Sequence, residues 1–537
     1  MINRRLALAG TWVGLSGCAA LPADSPLAPV VSAAPAPDPD TPPPAPREFR
    51  GAWVATVSNI DWPSARGLSA AVQRREAVVL LDRARAIGLN ALILQVRPAA
   101  DAIYPSALEP WTEFLSGEQG QPPWTAGEPA WDPLAFWVQE AHRRGLELHA
   151  WINPYRARHS AARSPLAASH IAVRRPELVR RYGDMLWLDP GEPDAATHTL
   201  AVVADLVHRY DIDGLHIDDY FYPYPVPGAT PVPGAAGTPP DLPFPDDGSY
   251  ARYRLAAGPL ARDDWRRANV DALVEALYRT VHAVKPGVRF GVSPFGVGKP
   301  ELRPAGVVGF SQYDKLHADA ERWLAQGWLD YLAPQLYWQI ERAGLQFPVL
   351  LDYWLAQNPA QRHVWPGLFS SQVGRNWPAR EIVEQIAVQR SRAAAGGHIH
   401  FSLVALQQDR DGLATLLQMG PYAQPALVPA TPGLGGPPPA APRLIRAGAR
   451  LRIGPTTDAG SASPLATAGA AVEFLTAPAP AAATVLWAVW RRVGGNWRFA
   501  VQPAGEVDID IAGASLISVS AVDRLGQPGP ATSIRLP

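Results

Sequence analysis

A single cysteine, Cys18, stands in 537 residues, so no disulfide can form within the chain. Charge is sparse and balanced: 18% of residues are charged and the formal net charge is -1. The 48 lysines and arginines are spread along the chain, which excludes an electrostatically driven nucleic-acid binder. The apolar run from Leu6 to Leu15 is too short to span a bilayer, which takes about 20 residues. No HExxH motif accompanies His216, and no glycine-rich phosphate loop follows the first predicted strand. Neither a metal nor another cofactor is therefore expected.

Proline and tryptophan are abundant, at 58 and 19 residues. The Pro/Ala-rich segments cannot bury a core, so residues 19–48 read as a tether and residues 421–442 as an interdomain linker. Most of the tryptophans read as packing residues, although indole faces also stack on sugar rings. At the N terminus, Arg4 and Arg5 precede the apolar segment, and Ser16-Gly17 precede the cysteine. This resembles a bacterial lipoprotein signal, with Leu15-Ser16-Gly17-Cys18 as the lipobox of residues 1–18 and Cys18 as the acylated residue. The resemblance implies a lipid-anchored envelope protein. Ala19, in place of Asp after the cysteine, implies the outer membrane, facing the periplasm.

From Phe49 onward strand and helix patterns alternate. Strands are expected at 51–57, 90–97, 147–154, 214–220, 289–295, 330–338, 364–369 and 398–403, with helical patterns between them and a short helix after Asp411. Eight alternations over residues 49–420 fit a (βα)8 TIM barrel better than an open sheet. Gly88, Gly145, Gly287 and Gly397 fall where helix C-caps are needed. Polar residues gather toward the strand ends: Asn59 and Asp61; Gln95, Arg97 and Asp101; Asn153, Tyr155 and Arg156; Gln335, Tyr337 and Trp338; His398, His400 and Ser402. Residues 443–537 lack helical periodicity and alternate in short runs, as a β-sandwich does. Ser518 to Thr532 resembles the closing strands of fibronectin type III-like modules. Trp487, Trp490 and Trp497 there are read as packing residues first and sugar platforms second.

The segment DIDGLHIDDYFYP, Asp211 to Pro223, carries the densest chemistry. In a strand, Leu215 and Ile217 share one face, and His216, Asp218 and Tyr220 share the other. A polar face ending in two carboxylates is costly in a core and natural at a barrel mouth. Two adjacent carboxylates do not ionise equally, so one should keep its proton near neutral pH. The competing reading is a pair that caps the next turn or binds a cation. His216 is expected to orient a neighbouring acid, with metal ligation as its rival.

Six motifs in order, FRGAWVATVSNIDWPS, NALILQVRPAADAIYPS, HAWINPYRA, DGLHIDDYFYP, GVSPFG and YLAPQLYW, together resemble the glycosyl-hydrolase-like family 10 of bacterial envelope proteins. The resemblance covers Phe49 to Met419. It implies a TIM-barrel glycosidase acting on peptidoglycan glycan strands, notably those stripped of stem peptides. Asp218 and Asp219 are then the catalytic pair. Arg97 and Arg156 would face an anionic substrate, such as the lactyl carboxylate of muramic acid, or form structural salt bridges. Asn59, Gln95, Asn153, Tyr155, His216, Tyr220, Gln335 and Trp338 would shape the sugar site.

The ends of the fifth to eighth strands supply no acid; the others, Asp61, Asp101, Glu109, Glu113 and Glu341, fall in loops. Two-carboxylate cleavage lacks an obvious partner. An N-acetyl sugar can supply its own acetamido oxygen as nucleophile, and an Asp pair with Tyr337 resembles substrate-assisted N-acetylhexosaminidases. The alternatives are a noncatalytic envelope glycan-binding lipoprotein, and a neutral α-glucan hydrolase with Asp218 as nucleophile and a loop Glu as acid.

Overall fold

The computed structural model describes residues 38–228, 240–392, 396–431, 433–448, 450–454 and 483–537. Cys18 and most of the tether lie outside them. Eight parallel strands run in order: β1 Phe49–Val54, β2 Ala91–Arg97, β3 Glu147–Ile152, β4 Gly214–Ile217, β5 Arg289–Val292, β6 Tyr331–Leu332, β7 in two pieces, His363–Val364 and Gly367–Leu368, and β8 Gly397–His400. Each pairs in parallel with its neighbour, and β8 returns to β1 through Phe49↔Gly397. The first piece of β7 pairs with β6 and the second with β8, so the sheet closes on itself as a barrel.

The strands are shorter than the sequence suggests because the polar ends leave the ladder to build loops. β4 ends at Ile217, which puts both aspartates in the turn beyond it. Between strands lie α1 Ala70–Ile87, α2 Pro133–His142, α3 Pro193–Arg209, α4 Arg262–Val284, α5 Ala320–Gln326, α6 Phe347–Ala356 and α7 Ala379–Arg390, with α8 Leu413–Met419 after β8. Gly88 caps α1 in the left-handed region at φ 97°, and Gly145 has φ 70°. Gly287 does not adopt a positive φ, and Gly397 opens β8 rather than capping a helix.

Alternate residues of the strands fill the barrel: Phe49, Trp53, Ala91, Ile93, Trp151, Tyr331, Trp365 and Ile399 form one cluster. Phe49 stacks on Trp365 with centroids 3.9 Å apart. Two glycines make this packing possible. A Cβ on Gly214 would lie 2.4 Å from the His149 ring, and one on Gly291 would lie 1.9 Å from the ring of Tyr331. His398 and His400, neighbours of the inward Ile399, bond instead to Tyr422, and so do not reach the barrel mouth.

The C-terminal part is all-β. Arg443–Ala447, Arg450–Gly454 and Asp508–Asp510 form one antiparallel sheet. Asn496–Pro503, Leu486–Val493, Ala514–Val522 and Thr532–Arg535 form the other. Leu451, Ile453, Trp487, Val489, Ile517 and Val519 lie in the core they share, so Trp487 is a packing residue.

Part of the segment expected as a linker is built into the barrel floor. Tyr422, Leu427, Val428 and Thr431 are buried, and Arg289 Nε donates to Thr431 Oγ1 at 2.7 Å. Arg524 donates to the Ile212 carbonyl at 2.9 Å and pairs with Asp211, joining the sandwich to the N-terminal end of β4. A cavity of about 890 Å³ lies at this seam, lined by His142, Asp213, Leu486 and Arg524 among others. It is at the end of the barrel that carries stability, opposite the end that carries chemistry.

Candidate active site

Beyond the C-terminal end of β4 the chain places Asp218 and Asp219, 4% and 5% exposed. Asp218 accepts from Trp151 Nε1 at 3.0 Å and from Asn153 Nδ2 at 3.3 Å. Asn153 is held in turn, because its Oδ1 accepts from the backbone N–H groups of Tyr155 and Arg156. Asp219 Oδ2 accepts from the Tyr224 hydroxyl. Gln335 also hydrogen-bonds Asp219, and its Nε2 donates to the Ser293 carbonyl at 3.0 Å.

Both carboxyls of the pair are raised, and they are held by different donors. Burial pushes Asp218 up to about 7, Arg156 pulling it down and Asp219 adding to the rise. Burial raises Asp219 as well, against the hydrogen bonds from Tyr224 and Gln335. Arg156 is buried, donates from Nε to the Pro98 carbonyl at 3.0 Å, and lies 4.7 Å from the centroid of the Tyr220 ring. Tyr337, from the segment after β6, stacks on Phe369 at 4.7 Å and feels the charges of Asp219, Tyr220 and Asp218. Trp338 is half-buried, edge-on to Phe295 at 5.5 Å. Asp218, Asp219, Arg156, Tyr220, Gln335 and Tyr337 thus belong to one constellation, and Trp338 packs on the Phe295 wall beside Gln335.

His216 does not orient Asp218 by a hydrogen bond. Its Nε2 accepts from Trp53 Nε1 at 3.2 Å and meets Ser293 Oγ at 3.0 Å, which leaves Nδ1 as donor to Tyr331 Oη at 3.0 Å. The tyrosine hydroxyl then donates to His149 Nδ1 at 2.8 Å, and His149 Nε2 donates to Glu147 at 3.1 Å. This column fills the barrel axis with satisfied polar groups. Burial holds His216 well below its ordinary value, His149 adding to the effect, so the ring is a neutral strut rather than a charged group.

Four other expected sugar contacts are structural. Arg97 is fully buried, pairs through Nε and Nη2 with Glu109 and donates to the Asn153 carbonyl, so it does not face a substrate. Burial alone would raise Glu109, but Arg97 and His198 outweigh it and hold Glu109 at about 2. Gln95 accepts from the backbone N–H groups of Thr56 and Val57 and pins the end of β1. Tyr155 is buried, and the charges that act on its hydroxyl are those of Asp189 and Asp271. Asn59 is spent on two carbonyls, Pro63 and Phe114, each at 2.9 Å. Asn153, also fully buried, acts through Asp218.

The loop acids are mostly spent too. Asp61 accepts from Ala55 N, Ser402 Oγ and Val404 N. Asp101 accepts from Ala99 N and Gln119 Nε2. Glu109 holds Arg97, and Glu113 accepts from Arg163 N and Ser164 N. Glu341 is exposed. Tyr224 and Ser293 escaped the sequence reading: the tyrosine lies in a Pro-rich loop, and the serine shows its partner only when β4 and β5 pair. Among the described residues no group of three or more His, Cys, Asp or Glu could hold a metal ion.

A closed parallel barrel with a buried carboxylate pair and flanking tyrosines at its C-terminal mouth is the arrangement of a barrel glycoside hydrolase. Residues 48–383 match the family described as glycosyl hydrolase-like 10, and the chain belongs to that family. It is similar to glycosyl hydrolase YngK of Bacillus subtilis (strain 168), 39% identical over 413 residues that cover 74% of this chain and 77% of that protein. Glycosyl hydrolase DigH of Escherichia coli (strain K12) is 33% identical, over 70% of this chain and 84% of that one. Among solved structures, the PgaB (BpsB) glycoside hydrolase domain from Bordetella bronchiseptica aligns with a TM-score of 0.45 and 15% identity, covering 70% of this chain and 98% of that one. The protein is a glycosidase.

Proposed function

We propose that the protein hydrolyses glycosidic bonds of bacterial cell-wall glycan, peptidoglycan strands lacking stem peptides, by substrate-assisted catalysis. The observation that carries this reading is the buried Asp218/Asp219 pair, each carboxylate held by its own donors, with the loop acids Asp61, Asp101, Glu109 and Glu113 committed to other partners. Asp218 holds the proton near neutral pH and gives it to the leaving glycosidic oxygen. The acetamido oxygen of the bound N-acetyl sugar attacks the anomeric carbon as that bond breaks, forming an oxazolinium ion that keeps its N–H proton, while Asp219 as carboxylate stabilises that N–H. Water then opens the ring, losing its proton to Asp218. Tyr337 donates to the reacting acetamide, and Arg156 offers a cation to the lactyl carboxylate of a neighbouring muramic acid. Tyr220, Gln335 and Trp338 line the sugar site. The C-terminal sandwich is read as a fibronectin type III-like module. Lipid on Cys18 anchors the chain in the outer membrane, facing the periplasm.

The test is mass spectrometry of products from stripped, peptide-bearing and N-deacetylated strands. Cleavage confined to stripped, N-acetylated strands, blocked by a thiazoline mimic of the oxazoline and slowed by Tyr337→Phe, is the expected result. Equal rates on N-acetylated and N-deacetylated strands, or a trapped glycosyl-aspartate, would refute substrate assistance and turn attention to Glu341. Binding without new reducing ends would favour a noncatalytic glycan binder, and oligosaccharides released from starch alone would favour an α-glucan hydrolase.

A further inference from the structure

Tyr224 is placed with unusual care for a loop residue. Pro223 and Pro225 flank it and restrict the backbone on both sides. Val226 N donates to Tyr182 Oη at 3.1 Å, and Leu242 N donates to the Val226 carbonyl at 2.8 Å, which ties the segment to the strand Val179–Tyr182. The Tyr224 ring stacks on Phe310 at 5.3 Å and meets Tyr220 edge-on at 5.7 Å. Held in this way, its hydroxyl donates to Asp219 Oδ2.

We propose that Tyr224 is a positioning residue that makes the two aspartates unequal: its hydroxyl fixes Asp219 as the carboxylate and thereby leaves Asp218 as the proton-bearing member. This rests on the division of labour argued above. A phenol donates at any working pH, and an O–H bond to a carboxylate belongs to the short, charge-assisted class that favours the ionised form. The other groups facing Asp219 do not single it out. Arg156 acts on both carboxylates, and Asp218, Tyr220 and Tyr337 supply like charge or none. The further donors are Asp219's own backbone N–H and Gln335, whose amide is shared with the Ser293 carbonyl.

The experiment uses Tyr224→Phe, which keeps the ring on Phe310 and removes only the hydroxyl. On stripped N-acetylated strands kcat should fall about tenfold or more with KM within about twofold, and the acidic limb of kcat/KM should move up by about one pH unit. A second measurement needs no turnover: urea unfolding at pH 5 and pH 8, with and without Tyr224→Phe, in the parent and in Asp219→Asn. Loss of the donor raises Asp219 in the folded state, so the stability of Tyr224→Phe relative to its parent should fall as pH rises, and only where Asp219 is present. If the parent cleaves no strand, the functional reading fails while this cycle still decides the Tyr224–Asp219 link. An acidic limb that does not move in an active enzyme, or a stability difference equal at both pH values in both backgrounds, would overturn the proposal.

Discussion

Replacing Asp218 by Asn tests the central electrostatic claim without a substrate, because the amide is a permanently neutral isostere of the protonated carboxyl. The folded protein holds the Asp218 proton up to about pH 7, whereas an unfolded aspartate releases it near pH 4. The raised folded pKa means that the stability contribution is full below about pH 4 and is lost as pH rises through about 7. At about 1.4 kcal/mol per pH unit, roughly 1.5 kcal/mol is gone at pH 5 and about 4 kcal/mol at pH 8. The variant has no such dependence at this position. Its stability minus that of the parent should therefore grow by about 2.5 kcal/mol between pH 5 and pH 8.

An amide facing both Trp151 Nε1 and Asn153 Nδ2 meets one donor with another, at a cost of about 1–3 kcal/mol that does not change with pH. The slope, not the absolute sign, is therefore the observable. Asp101 and Asp61, also raised by burial to about 7 and about 6, titrate in both proteins and cancel. Urea unfolding at the two pH values reads the difference directly. Turnover should fall about a hundredfold to ten-thousandfold as a general acid is lost. Parallel stability curves for parent and variant would refute the reasoning, since Asp218 would then be an ordinary carboxylate at neutral pH.

Arg97→Leu should cost about 3–5 kcal/mol in urea unfolding, because it strands the buried Glu109 charge; a raised KM with unchanged stability would instead return Arg97 to the substrate. Cys18→Ala should give a precursor that is neither processed nor lipidated, checked by fractionation and mass; maturation like the parent's would end the lipoprotein reading. Limited proteolysis should spare Tyr422 to Thr431, which the barrel floor holds, and cut C-terminal to Thr431; a first cut just after Met419 would show that this floor opens.

The order of strands and helices, the all-β C-terminal part and the Asp218/Asp219 pair were legible in the chain, because each is written in local periodicity or in adjacent residues. The strand ends were less legible, since a polar strand end and a polar loop share a composition. The roles of Gln95, Tyr155 and His216 were not legible, and for Arg97 the structural salt bridge was one of two readings, with Glu109 not named as its partner. Arginine at a strand end can meet a ligand or a buried acid, and Glu109, twelve residues away, became its partner only when the loop after β2 folded back. His216 found Trp53, Ser293 and Tyr331 across the barrel, from strands up to 163 residues apart. Sequence determines which donors and acceptors exist and which alternate along a strand. Only closure of the barrel decides which of them meet out of water, and with it which carboxyls burial raises and which arginine is spent on structure.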